Sequence, residues 1–298
     1  MAKSMYEYVK NYENLDIICP NTWIVVRIDG KNFHKLSDTH KFVKPNDQRS
    51  LELMNKAAEA VFKEIQDVIL AYGQSDEYSF IFERQTKLYK RRSSKILTNV
   101  CSLFTSSFVY YWKTYFPNDD LLYPPSFDGR VVTYPTNKNL RDYLSWRQTD
   151  CHINNLYNTT FWALVQQGGL SPKEAEEKIR YTVSAEKNEI LFSQFSINYN
   201  KEKEQFKKGT FIIRSKVHKQ VVMIDDYYEE EAGLYLSFID VIGNKFWQNN
   251  PHILVIYLIP KLNPVTGYSS EVPVCENCIS LKNLPSNTRA IGDGPRYI

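Results

Sequence analysis

The stretch from Trp23 to Asp29 alternates cleanly. Ile24, Val26 and Ile28 point one way and Arg27 and Asp29 the other, and the run is β-branched and bounded by Asn21 and Gly30. That pattern predicts a strand with one buried and one charged face. After a loop through Pro45, Asn46 or Asp47 can cap a helix. Leu51, Met54, Ala58, Val61, Phe62 and Ile65 then recur at helical spacing. Val68–Tyr72 reads as a second strand, Gly73-Gln74-Ser75 as a tight turn and Glu77–Phe82 as a third strand. A long amphipathic helix follows, with Ile96, Val100, Phe104, Phe108 and Trp112 on its apolar face and Pro117 and Asn118 at its end. Gly129–Tyr134 is a fourth strand, closed by Pro135. The fold class is α+β. The order βαββαβ places two helices on one face of an antiparallel sheet and leaves the other face free for ligands.

The second half, residues 136–262, reads as a helical and strand extension. Helical runs are expected over Leu140–Trp146, Ile153–Val165 and Pro172–Tyr181, the last opened by Ser171-Pro172-x-Glu174. Strand-like runs lie at Thr210–Ile213, Gln220–Ile224 and Ile253–Leu258. From residue 263 to 298 Pro, Asn, Ser and Gly dominate, and an irregular tail is expected. Residues 1–135 would form the first domain.

Composition changes this picture little. Hydrophobic residues make up 43% and charged residues 24% of 298 residues, a globular balance that argues against wholesale disorder. A net charge of +3 does not by itself establish a polyanion partner. The N-terminus lacks the apolar core of a secretory signal, and no run approaches the roughly 18 apolar residues of a membrane span. A cytoplasmic protein with reduced thiols is expected, with the nucleus as a second compartment. Cys275-x-x-Cys278 has metal-like spacing, but the tail offers no second pair or nearby His, so a solvent-facing turn is the better reading.

The chemistry gathers on the first half. Asp29 ends the first strand before Gly30, and Asp76-Glu77 opens the third strand after the hairpin. Strands one and three are central neighbours in this order, so Asp29, Asp76 and Glu77 become catalytic candidates. Magnesium takes one or two carboxylates plus substrate phosphates, and two such ions can stabilise attacking and leaving oxygens in phosphoryl transfer. Gly30 could add its carbonyl as a ligand. The competing reading is that Asp29 and Asp76 are turn acids, common beside Gly. Arg84, Lys87, Lys90, Arg91, Arg92 and Lys95 follow with no acid among them, and Arg92 and Lys95 share one helix face. With Lys44 and Ser75 they could cradle a triphosphate at the helix start; a solvated basic face is the alternative. Phe33, beside His34, could stack on a base or simply pack.

In the second half His152, Asn155 and Thr159 share a helix face, with Ile153, Leu156 and Tyr157 looking inward. Lys187, Asn198, Lys207 and Lys208 lie among further Lys, Arg, Tyr and Asn residues that include Lys216 and Lys219. Such side chains suit the phosphates and exposed bases of a folded RNA, although each also fits a capped helix or wet surface. The acidic patch Asp225, Asp226 and Glu229–Glu231 should face away from nucleic acid.

Arg27-Ile-Asp-Gly30 with Asn32-Phe-His34, Lys44-Pro-Asn-Asp47, Ala71–Phe80, Lys90–Lys95, Phe127–Arg130, Tyr143–Gln148, His152–Asn158 and Lys187–Phe192 together resemble the signature blocks of the tRNA-histidine guanylyltransferases. The likeness spans about residues 6 to 260. It implies a palm-like sheet and growth of RNA in the 3′-to-5′ direction: ATP adenylylates the 5′-phosphate of tRNA(His), the 3′-hydroxyl of GTP displaces AMP, and pyrophosphate is removed last. It implies two Mg ions on Asp29, the Gly30 carbonyl and Asp76. Nucleotide sites would be lined by Lys31, Asn32, Phe33, His34, Lys44, Asp47, Ser75, Arg92 and Lys95. His152, Asn155, Lys187 and Asn198 would lie on tRNA, in a homotetramer, and the basic stretch adds Lys207 and Lys208 to the expected RNA contacts. Two other readings fit parts of the pattern. A cyclase-like palm enzyme shares the two carboxylates. A non-catalytic RNA-binding module shares βαββαβ, but would put stacking aromatics where Ser75-Asp76-Glu77 stands.

Overall fold

The computed structural model describes residues 4–14, 16–214, 230–231 and 233–254. The expected strand Gln220–Ile224, Lys216, Lys219, Asp225, Asp226, Glu229 and the Cys275/Cys278 tail lie outside the described residues.

The strands are β1 Trp23–Gly30, β2 Val68–Gln74, β3 Glu77–Phe82, β4 Phe127–Tyr134, β5 Thr210–Arg214, β6 Glu230–Glu231 and β7 Leu234–Ser237. They form one antiparallel sheet in the order β4-β1-β3-β2-β5-β7-β6. The helices are α1 Phe33–Thr39, α2 Gln48–Glu64, α3 Ser93–Tyr115, α4 Asn137–Gln166, α5 Pro172–Ile179, α6 Ser184–Phe195, α7 Glu204–Lys208, α8 Lys245–Asn249 and α9 Pro251–Leu254. None of the described helices is long and apolar enough to cross a membrane.

The α+β class and the βαββαβ order hold, with β1 and β3 adjacent in the sheet. Asp47 caps α2, as its position before the apolar repeat predicts, by accepting the Arg49 amide at 3.0 Å. Ser171 and Glu174 close a reciprocal capping box on α5.

Five expectations are corrected. The second face of the sheet is not free. Ile24, Val26 and Ile28 face α2 and α3, whereas Trp23, Val25, Tyr72 and Ile81 are buried against Leu140, Tyr143 and Leu144 of α4 and Phe246 and Trp247 of α8. Burial of a large apolar side chain contributes about 1.5–3 kcal/mol, so this second layer anchors α4 firmly across the sheet. The hairpin turn is Ser75-Asp76, with Gly73 and Gln74 paired in β2 and Ser75 in the left-handed region at φ 51°. The loop before Pro45 contains α1, whose few apolar positions leave little periodicity. The two helical runs after residue 136 are one 30-residue helix, α4. Its polar middle is buried because Gln148 donates to the carbonyls of Lys208 and Ile239 and accepts the Val241 amide. Ile253 and Leu254 lie in the helical turn α9, not in a strand, following Pro251 at its first position.

β5 also pairs with β2, from Leu70 opposite Ile213 to Gly73 opposite Thr210. The second half therefore completes the sheet begun by the first.

Candidate functional site

A cavity of about 510 Å³ opens where the end of β1, the β2–β3 hairpin, the Val43–Asp47 loop and the middle of α4 meet. Register brings the acids together: Asp29 stands opposite Glu77 on β3, and the Gly30 amide donates to the Asp76 carbonyl at 3.0 Å. The hairpin tip is thereby tied to the end of β1.

The three acids differ in their surroundings. Glu77 accepts from the Arg147 guanidinium at 3.2 and 3.3 Å and has Arg27 Nε at 3.7 Å. Burial still raises its pKa, against the pull of those two cations. Asp76 accepts from the Ser75 hydroxyl at 3.2 Å and from its own backbone amide, and no cationic side chain among the described residues pairs with it. Burial, and then the neighbouring Asp29 charge, push Asp76 up to about 7. A buried acid raised by a neighbouring carboxylate beside a cavity is what a divalent cation relieves. The donor set also fits: two carboxylates and a glycine carbonyl leave positions for phosphate and water. Gly30 tolerates no side chain, since a Cβ there would lie 2.3 Å from the Phe33 ring.

Of the residues expected at a nucleotide site, the cavity is lined by Asp29, Phe33, Lys44, Asp47, Ser75, Asp76 and Glu77. Phe33 is not available for stacking. It is 4% exposed and packs on Phe127 and Phe108 at 4.8 and 5.7 Å between centroids, because α1 turns it into the core. Both oxygens of Asp47 are used internally, by the Val43 amide and by Arg49. Asp47 therefore clasps the loop that carries Lys44. Lys44 itself contacts Ser37 at 2.5 Å and Asp38 at 3.3 Å, and its ammonium lies over the Trp162 ring.

Lys31, Asn32, His34, Arg92 and Lys95 are not in the cavity wall. Arg92 and Lys95 are exposed at the start of α3. There the Asp16 carboxylate already accepts the Ser94 amide, so the helix start is met by an internal acid. Arg91 and Arg84 leave the expected basic cradle altogether: both are turned onto backbone carbonyls.

Of the expected RNA-facing residues only Asn155 reaches the cavity wall. It is 6% exposed, accepting from Asn46 at 2.8 Å and donating to Tyr199 at 3.0 Å, which makes it a strut between α4 and the Lys44 loop. Ile153, expected to look inward, is 53% exposed, because Asn155 and Thr159 take the buried face. His152 and Asn198 are exposed. Lys187 donates to Thr182, while Lys207 and Lys208 pair with Glu204. Surface pairs of this kind are worth only about 0–1 kcal/mol, so a phosphate can displace them.

The sequence reading assigned no role to Arg27, Arg130, Trp146 and Arg147, all of which line the cavity. For Arg27 the signal was present, since alternation puts it on the Asp29 face. A buried arginine within a helix, such as Arg147, has no local pattern to announce it.

The comparisons agree with one another. Residues 6–135 match the family model described as tRNAHis guanylyltransferase, and residues 138–236 match the Thg1 C terminal domain. The chain is 53% identical over 260 residues to the tRNA(His) guanylyltransferase of Schizosaccharomyces pombe, covering 86% of this chain and 99% of that one. It is 47% identical over 282 residues to that of Neurospora crassa, covering 85% and 96%. The crystal structure of the Saccharomyces cerevisiae enzyme superposes with a TM-score of 0.67 at 48% identity, covering 74% of this chain and 97% of that one. A bacterial Thg1-like protein in complex with ATP shares the fold, with a TM-score of 0.67 at 22% identity over 85% of this chain and 100% of that one.

Proposed function

The chain belongs to the tRNA(His) guanylyltransferase family, and from that premise we propose that its cavity adds a guanylate to the 5′ end of tRNA(His) in the 3′-to-5′ direction. The observation that carries this reading is the Asp29–Asp76 pair, with Asp76 raised to about 7 and no cationic side chain of the described residues beside it. Family membership makes the chain a nucleotidyltransferase and sets aside the inert RNA-binding module.

The reaction runs in three steps. An oxygen of the tRNA 5′-phosphate attacks the α-phosphorus of ATP and releases pyrophosphate. The 3′-hydroxyl of GTP then attacks the activated 5′-phosphorus, loses its proton and releases AMP. Hydrolysis finally frees pyrophosphate from the added nucleotide. Asp29, the Gly30 carbonyl and Asp76 would hold two magnesium ions, which when bound supply charge neutralisation to the attacking and leaving oxygens. Lys44 exchanges Ser37 and Asp38 for a phosphate, guided by the loop that Asp47 and Asn155 brace. Arg147 and Arg27 draw the Glu77 carboxyl toward its charged form, against its burial, and fix it beside Asp29. Both displacements use this one set of acids. A chain of this size spans only part of a tRNA, so a homotetramer would let one subunit hold the anticodon while another presents the acceptor end. Lys187, Asn198, Lys207 and Lys208 supply exchangeable contacts.

Purified protein given 5′-monophosphorylated tRNA(His), ATP, labelled GTP and magnesium should label the tRNA 5′ end, and chelation with EDTA should stop the reaction. No incorporation by the intact chain would overturn the assignment. Lys95→Ala should raise the KM for nucleotide about fivefold, equivalent to roughly 1 kcal/mol for one solvated charge, without lowering the Tm. An unchanged KM would remove Lys95 from nucleotide binding.

A further inference from the structure

The proposed chemistry leaves part of the cavity wall without a role. Asn155 lies beside the Lys44 loop. Trp146 lies nine residues earlier on α4, about 13 Å along the helix at 1.5 Å per residue. There the wall is built from Arg27, Arg130 and Trp146.

Arg27 and Arg130 are direct cross-strand partners in the β1–β4 register. Like charges opposite one another in a sheet oppose its pairing unless an anion lies between them. Arg27 is offset by Glu77 at 3.7 Å, but among the described residues Arg130 has only Asp128, at 3.9 Å, on its own strand with both groups solvated. Among the described residues β4 is an edge strand of the sheet, with no described strand on its outer side. Trp146 is 55% exposed, while the Arg147 guanidinium lies 3.5 Å from its ring centroid. Arg147 is itself held by Glu77 and Asp150. The indole is therefore fixed by Arg147, with the Arg27 guanidinium 5.9 Å from the same ring, and more than half of its surface stays exposed. Phe33 is committed to the core, which leaves Trp146 as an exposed aromatic surface of this cavity.

We propose that Trp146 and Arg130 form a subsite for one unpaired nucleotide of the RNA end, its base on the indole and its phosphate on the guanidinium. The RNA strand enters past the β4 edge and reaches the two acids from the side opposite Lys44. This rests on the nucleotidyltransferase reading for the identity of the polymer. A stacked base could also belong to the incoming nucleotide, and the two sources separate in binding measurements.

The test compares the full chain with Trp146→Ala, Trp146→Phe and Arg130→Gln. Affinity for 5′-monophosphorylated tRNA(His) is read by fluorescence anisotropy, and affinity for GTP without RNA by equilibrium dialysis. Trp146→Ala should weaken tRNA binding about tenfold, as loss of one base–aromatic stack does. Trp146→Phe should restore most of it. Arg130→Gln should weaken binding and lower the slope of log affinity against log salt by about one. GTP affinity should change less than about twofold, well below a stacking loss. Unchanged tRNA affinity in both Trp146→Ala and Arg130→Gln overturns the proposal. So does weakened GTP binding with tRNA affinity intact, which would assign the stack to the incoming nucleotide. If the wild type binds tRNA through Trp146 but incorporates no GTP, the proposed reaction fails and the RNA subsite stands.

Discussion

Asp76→Ala is expected to lower tRNA labelling by at least about 1,000-fold, the scale of losing a principal electrostatic group at a reacting phosphate. The metal-free protein should at the same time become more stable. The Asp76 carboxyl titrates near 7 in the folded chain against 3.8 ordinarily, through burial and then the Asp29 charge. Ionising it therefore opposes folding. Metal-free wild type should lose stability as pH rises from about 4 to about 7 and stay at the lower level above that. We expect a loss of about 2 kcal/mol, roughly half of what the shift converts to, since the cavity admits water. In a chain of this size that corresponds to a Tm lower by about 4–8 °C. Asp76→Asn should remove that pH dependence. Magnesium should raise the wild-type Tm more at pH 8 than at pH 5 and leave the Asp76→Asn Tm nearly unmoved. Single-turnover labelling and calorimetric scans with and without magnesium measure both effects. A magnesium response retained in Asp76→Asn would refute Asp76 as a metal ligand.

What was legible in the sequence depended on how local its cause is. β1, β3, α2 and α3 follow from periodicity within their own residues, and the convergence of Asp29 with Asp76 follows from strand order. The covered second face was not legible, because Trp23 and Val25 are buried by partners more than 100 residues away in α4 and α8. The continuity of α4 was hidden because Arg147, Gln148 and Asn155 are polar yet buried, each satisfied by a remote partner. The same distance misled the reading of Phe33, whose ring meets Phe108 and Phe127. The basic run from Arg84 to Lys95 shows the limit most plainly. Its charges are alike in sequence, yet they divide into clasps and exposed groups only when the N-terminal segment folds against them.

Arg91 is the clasp, and Arg91→Met is expected to cost about 3–5 kcal/mol, as breaking a buried charged network does. Arg91 is 7% exposed and donates to the carbonyls of Ile18, Cys19, Thr22, Arg84 and Thr86, at 2.8–3.3 Å, and to the Thr22 hydroxyl at 3.1 Å. Five carbonyls from two segments thus share one guanidinium, and an apolar side chain leaves buried acceptors unsatisfied at about 1–3 kcal/mol each where water cannot reach. Those bonds also hold a strained turn: Tyr89, Lys90 and Arg91 have φ of 47°, 56° and 59° in succession. Each left-handed L-residue costs roughly 1–2 kcal/mol, so the turn persists because Arg91 fixes it. Two neighbours should therefore respond with opposite signs. Arg91→Met should lower the Tm by about 10 °C, at 2–4 °C per kcal/mol. Lys90→Gly, at an exposed position, should raise stability by about 0.5–1 kcal/mol by relieving the strain. Urea unfolding of both variants decides it. If Arg91→Met unfolds like wild type, the arginine is not the clasp. If Lys90→Gly destabilises, the left-handed turn carries no relievable strain.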